Sequence, residues 1–139
     1  MHTQAMIKTH PQLRGSPDAA LIACIEACRD CTETCIICAD ASLGEEMVAE
    51  LRRCIRLDLD CADICAATAG VVTRAAAGGD SDIRPILEAC ADICQRCGDE
   101  CKTHAEMHAH CRICAEVCFA CVAACRKALS SRRPAPKAK

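Results

Sequence analysis

The chain has 139 residues, with 17 Lys and Arg against 19 Asp and Glu and a formal net charge of −2. That length suits one domain, and the near-neutral balance argues against nucleic acid or an anionic membrane as the main partner. No apolar segment reaches the ~20 residues needed to span a bilayer, and a single aromatic residue, Phe119, stands beside 17 cysteines.

Cysteine at about 12% exceeds the level that signals a disulfide scaffold in a short secreted chain. Two features oppose that reading. The stretch Met1 to Pro11 has no apolar run to serve as a signal-peptide core. The cysteine count is also odd, and the thiols follow helical faces instead of sitting in loops. The expectation is a cytoplasmic chain with reduced thiols, in which metal binding is the natural use of cysteine.

Taken in order, residues 1–15 are polar, contain the breaker His10-Pro11, and are expected to form an irregular N-terminal arm. Ser16-Pro17-Asp18 reads as a helix start, with Ser as N-cap, Pro at the first helical position and an acid in the first turn. This first helix should run to about Ser42 and stop near Leu43-Gly44. It carries Cys24, Cys28, Cys31, Cys35 and Cys38 at alternating spacings of 4 and 3, so all five sulfurs share one helical stripe.

A second helix is expected from Glu45-Glu46 to about Ala77, ended by Gly78-Gly79. It holds Cys54, Cys61 and Cys65, with Asp58 where the same spacing would place another cysteine. The third, from about Asp82 to Thr103 with Pro85 in its first turn, holds Cys90, Cys94, Cys97 and Cys101. The run from Thr103 to His110 has no Gly or Pro to mark a break. Beyond it a fourth helix to about Ser130 holds Cys111, Cys114, Cys118, Cys121 and Cys125. The bundle domain is thus 16–131, and 132–139 is a basic tail expected to be disordered.

Antiparallel pairing puts these rows in register. The second and third helices match Cys54 with Cys101, Asp58 with Cys97, Cys61 with Cys94 and Cys65 with Cys90, about a midpoint beside Gly78. The first and second pair about residue 46, just past Gly44, and the third and fourth about residue 106. The fold class expected is all-α, an antiparallel up-down-up-down four-helix bundle with a cysteine-lined core. Cys24 and Cys125 form one end layer, sealed by Thr68 and Leu87. Inward from it come Cys28, Cys65, Cys90, Cys121, then Cys31, Cys61, Cys94, Cys118, then Cys35, Asp58, Cys97, Cys114, and last Cys38, Cys54, Cys101, Cys111. The row of the third helix continues to His104 and His108, which should mark the open end. His110 lies off the stripe and should be exposed, whereas Met47 should face inward, level with His108.

Seventeen inward thiols are poorly explained as packing, since Ala, Val or Leu would fill the core without oxidation risk. Ferredoxin-type spacing is absent, and no cysteine stands apart with a histidine and an orienting carboxylate, so an enzyme is not expected. A soft-metal store remains. Cu(I) accepts two or three bridging thiolates, which gives roughly one ion per cysteine; a zinc or general thiol buffer of metallothionein type is the alternative.

The Cys-x3-Cys-x2-Cys-x3-Cys-x2-Cys row repeated on four helices resembles the cytosolic copper storage proteins over about residues 16–130. The resemblance implies a homotetramer of four-helix bundles that stores many Cu(I) ions in the bore, with a copper chaperone as possible donor or acceptor. It also implies that histidines and a carboxylate mark the open end, which His104, His108 and Asp58 match by position. Ile36, Ile37, Ile55, Leu59, Phe119 and Val122, off or beside the stripe, are expected to divide between helix packing and a subunit interface.

Overall fold

The computed structural model describes residues 2–132, so the tail expected at 132–139 lies outside the described residues apart from Arg132. Five helices form in chain order: α1 (Thr3–Lys8), α2 (Ala19–Leu43), α3 (Arg52–Ala76), α4 (Arg84–Thr103) and α5 (Ala109–Ser131). The four long helices close into a ring in which α2 packs on α3 and α5, and α4 packs on the same two. This is the expected up-down-up-down bundle.

The helix ends differ from expectation in instructive ways. Asp18, not Ser16, caps α2: its backbone is extended and its carboxylate accepts from the Ala20 N–H at 2.8 Å. A carboxylate one residue from the first turn reaches the free N–H and also faces the positive end of the helix. No such cap follows Gly44. The chain therefore turns through Glu45 to Met47, makes a 3-10 turn at Val48–Leu51, and only then enters α3. At the other end of α3 the glycines act as expected. Gly78 takes φ 106°, its N–H reaches Ala75 O at 3.2 Å, and the Gly79 N–H reaches Arg74 O at 2.9 Å. Those are the two bonds of a Schellman stop, and the left-handed residue in it favours glycine.

The break between α4 and α5 has no glycine or proline, yet it forms. The N–H groups of Met107 and His108 fold back to the His104 carbonyl, and His108 then extends as the residue before α5. The thiol rows of both helices must face one bore, and a single straight helix would carry the second row away from the first.

The N-terminal arm is also not irregular. Residues Thr3–Lys8 form α1, and Ile7 on it is buried in the main core. Leu21, Val72, Ile83, Leu87 and Ala128 lie in the same core at the end of the bundle where α2 begins, almost wholly out of solvent. At about 1.5–3 kcal/mol for each large aliphatic side chain buried, this plug is the conventional hydrophobic part of the molecule. Elsewhere the interior is sulfur. Phe119, half-buried, fills the groove between α5 and α4 against Gly98, where a Cβ would lie 2.5 Å from the ring. Of the apolar residues expected to divide between helix packing and a subunit interface, Val122 is buried, whereas Ile36, Ile37 and Leu59 are exposed.

Candidate metal centre

All 17 cysteines are free, and each is no more than 1% exposed. The helical stripes of α2, α3, α4 and α5 converge on the bundle axis, and the layers read from the sequence are the layers formed. Cys24 meets Cys125 at 3.9 Å, beside the closed end. Next, Cys28 lies 3.8 Å from both Cys90 and Cys121, with Cys65 to Cys90 at 3.7 Å. Cys31 lies 3.8 Å from both Cys61 and Cys118, and Cys61 meets Cys94 at 3.6 Å. Contacts also run between layers, as from Cys65 to Cys94 at 3.4 Å and from Cys35 to Cys118 at 3.7 Å. The sulfurs form a continuous column, not isolated clusters.

Several groups of four converge closely enough to hold an ion, with ligand atoms within 4.8 Å of one another. One is Cys28, Cys90, Cys121 and Cys125; another is Cys31, Cys65, Cys94 and Cys121; others are Cys31, Cys35, Cys61, Cys118 and Cys35, Cys97, Cys114, Cys118. Each draws on two successive layers, and Cys31, Cys35, Cys118 and Cys121 belong to more than one. Ligands shared in this way are suited to bridging thiolates.

Asp58 interrupts the column as expected and is fully buried. Its Oδ1 accepts from the thiols of Cys97 at 3.1 Å, Cys114 at 3.3 Å and Cys101 at 3.5 Å, and Oδ2 lies 3.8 Å from Cys54 Sγ. Burial, with Cys114 and Cys38 adding to it, pushes this carboxyl up to about 9. Asp58 is thus a neutral acid near neutral pH. With Cys38, Cys54 and Cys101 it makes the last convergent group before the mouth.

The mouth is where sequence and structure part. His110, expected to be exposed, is turned inward: its Nδ1 lies 3.4 Å from Cys38 Sγ and 3.6 Å from Cys111 Sγ. Its Nε2 lies 3.3 Å from Glu45 Oε1. Burial lowers this imidazole, but the Cys38 thiol and the Glu45 carboxylate outweigh it and hold the group above its ordinary value. Among the last thiols, Cys38 is pulled down to about 6, chiefly by the Cys101 thiol. Burial pushes Cys111 up to about 12. His108 is largely buried and stacks on His110 with ring centroids 5.5 Å apart. His104, expected to extend the α4 sulfur row, instead pairs with Glu100 at 3.0 Å, and Arg53 holds the other Glu100 oxygen at 3.0 Å. Met47 is 46% exposed and does not cap the bore.

Two more residues at this end carry no clear mark in the sequence. Ser42 is fully buried, and its hydroxyl has no hydrogen-bond partner among the described residues. Thr32, Thr68, Thr73 and Ser130 each donate to the carbonyl four residues back, as helical hydroxyls commonly do. Ser42 does not. Its spacing of four from Cys38 is the one available signal, because it is the next rung of the α2 ladder. Glu45 sits in a turn and has no periodic signal at all.

Fold and site together define a class: four-helix bundles whose core is a column of thiols, closed by aliphatic residues at one end and fringed by imidazoles at the other. A family model described as copper storage protein matches residues 18–130, and the chain belongs to that family. It is similar to the copper storage protein Ccsp from Streptomyces lividans loaded with 10 copper equivalents. The TM-score is 0.86 at 48% identity, over 92% of this chain and 98% of that one. Cu(I)-bound BsCsp3 matches at TM-score 0.67 and 43% identity, over 75% of this chain and 92% of that one. An uncharacterized cysteine-rich protein of Bacillus subtilis strain 168, YhjQ, is 44% identical over 104 residues, 75% of this chain and 91% of its own length.

Proposed function

We propose that this chain is a high-capacity cytoplasmic store of Cu(I), held by the 17 cysteines at about one ion per thiol, with Asp58 in the column and His108 and His110 serving the mouth. One observation carries the reading: the sulfurs are buried in one column, and no Lys or Arg is buried among the described residues. A deprotonated thiol in such a core needs its charge balanced by the cargo itself. One Cu(I) per thiolate leaves no net charge. A zinc ion in a tetrathiolate site leaves two negative charges at every site, with no cation nearby to offset them. The column therefore favours Cu(I) over the zinc or metallothionein-like alternative, and the similarity to Ccsp and Cu(I)-bound BsCsp3 supports the same metal. A similar Streptomyces lividans protein is described as a cytosolic copper storage protein, which supports the cytoplasmic setting.

Binding, not catalysis, is the role. Assembly into a homotetramer belongs to the same proposal, supported by the exposed Ile36, Ile37 and Leu59. A copper chaperone would be a suitable donor or acceptor at the imidazole end, because the opposite end is plugged. Anaerobic titration of the reduced protein with Cu(I), against a competing Cu(I) chelator, is expected to saturate near one ion per cysteine. The same Cu(I) should expel zinc loaded beforehand. Saturation at one or two ions, or retention of the zinc, overturns the reading.

A further inference from the structure

The sulfur column contains two closed triangles that share no residue. Cys31 Sγ is 3.8 Å from the sulfurs of Cys35 and Cys118, which are themselves 3.7 Å apart. Cys94 Sγ is 3.6 Å from Cys61 and 3.4 Å from Cys65, and those two are 3.9 Å apart. The first triangle joins α2 to α5 and the second joins α3 to α4, so helix packing and not one segment sets their size. An ion lying in the plane of three sulfurs, with bonds of about 2.3 Å, would space those sulfurs about 4.0 Å apart. Both triangles are smaller, and they fit a centre that sits above the plane of its sulfurs. That pyramidal shape belongs to a trivalent atom that keeps a lone pair. Charge selects the same class. No Lys or Arg is buried among the described residues, so whatever enters must leave the core neutral. Three thiolates cancel a trivalent centre as completely as one cancels Cu(I).

We infer that the thiol column is also a binding site for trivalent arsenic, taken up as neutral arsenous acid, As(OH)3, with one arsenic in each triangle. The reaction is a condensation without redox change. Three As–O bonds break and three As–S bonds form, and each thiol proton leaves with a hydroxide as water. Reactants and products are uncharged, so no ion has to cross the apolar interior. The fold has already placed the three thiols, whereas free glutathione must assemble three separate molecules around one arsenic. The protein therefore holds arsenic more tightly than glutathione does, by about 100-fold or more. The inference stands on the sulfur geometry and does not require that copper be the natural cargo.

The test treats the full, reduced, metal-free chain with sodium arsenite in the presence of excess glutathione. Native mass spectrometry is expected to show two arsenic atoms per chain, one for each triangle, each bound with the loss of three hydrogens. A thiol assay should find three fewer free thiols for each arsenic. Arsenic X-ray absorption of the parent should show three sulfur neighbours and no oxygen. Cys118→Ala and Cys94→Ala should each bind one arsenic fewer, with circular dichroism confirming that they fold. Should either fail to fold, the stoichiometry and X-ray absorption of the parent decide. No arsenic retained against glutathione, arsenic held by two sulfurs and an oxygen, or an unchanged count in either folded variant overturns the inference. Cu(I) uptake is measured separately on the same preparation. A chain that takes up Cu(I) but not arsenic keeps the storage reading and loses this one, and the reverse outcome keeps this one and loses storage.

Discussion

Saturation with Cu(I) is expected to raise the melting temperature of this chain by more than about 30 °C. The metal-free bundle should already melt cooperatively, because the plug of Leu21, Val72, Ile83, Leu87 and Ile7 and the capped helix ends do not depend on metal. Its stability should lie in the ordinary range of about 5–15 kcal/mol. The thiol column adds little to it, since cysteine offers a small apolar surface and only weak hydrogen bonds. Copper changes that balance. A ligand bound only by the folded state contributes about 2.7 kcal/mol per site at a free concentration 100-fold above its dissociation constant. A handful of such sites exceeds the whole stability of the metal-free form, and every ion also ties together helices that otherwise meet through thiols. Circular dichroism melts of the two forms, under anaerobic reducing conditions, make the comparison. Coincident melts would place the copper outside the core, and a disordered metal-free chain would mean that metal organises the fold.

The second large effect belongs to Asp58. Its carboxyl stands near 9 in the folded chain against an ordinary value of 3.8, mainly because burial disfavours the charged form. The folded state therefore keeps a proton that the unfolded chain loses above pH 4. The stability contribution of this group is full below the unfolded value and declines as pH rises toward the folded one. The slope is about 1.4 kcal/mol per pH unit, so the cost near neutral pH is roughly 4 kcal/mol. Asn in its place keeps a carbonyl oxygen for the thiols of Cys97, Cys101 and Cys114 but has nothing to ionise. Metal-free Asp58→Asn is expected to be about 4 kcal/mol more stable than the parent at neutral pH. It should also lack the parent's loss of stability between about pH 4 and 9. Urea unfolding at several pH values checks both. Equal slopes for parent and variant would show that Asp58 is ionised in the folded chain.

The placement of the sulfurs is legible in the amino-acid sequence because helical geometry is periodic. Spacings of 3 and 4 commit Cys24 to Cys38, or Cys111 to Cys125, to one face, and a rise common to all helices carries the register from one row to the next. Asp58 can be read as a gap in such a row, and Thr68 and Leu87 as its lid. The mouth obeys no period. His110 is one residue before Cys111, which on the stripe alone directs it away from the bore; the turn at His108 and the reach of Glu45 bring its ring inward. His104 falls on the extended α4 row and is claimed instead by Glu100 and Arg53. Ile7 likewise finds the core through the connection of residues 9–18, which no pattern within α1 announces. A side chain's face on a regular helix is a property of its own segment. Where the helix ends, its direction is decided by whichever distant group it meets, and those meetings exist only once the four helices have closed.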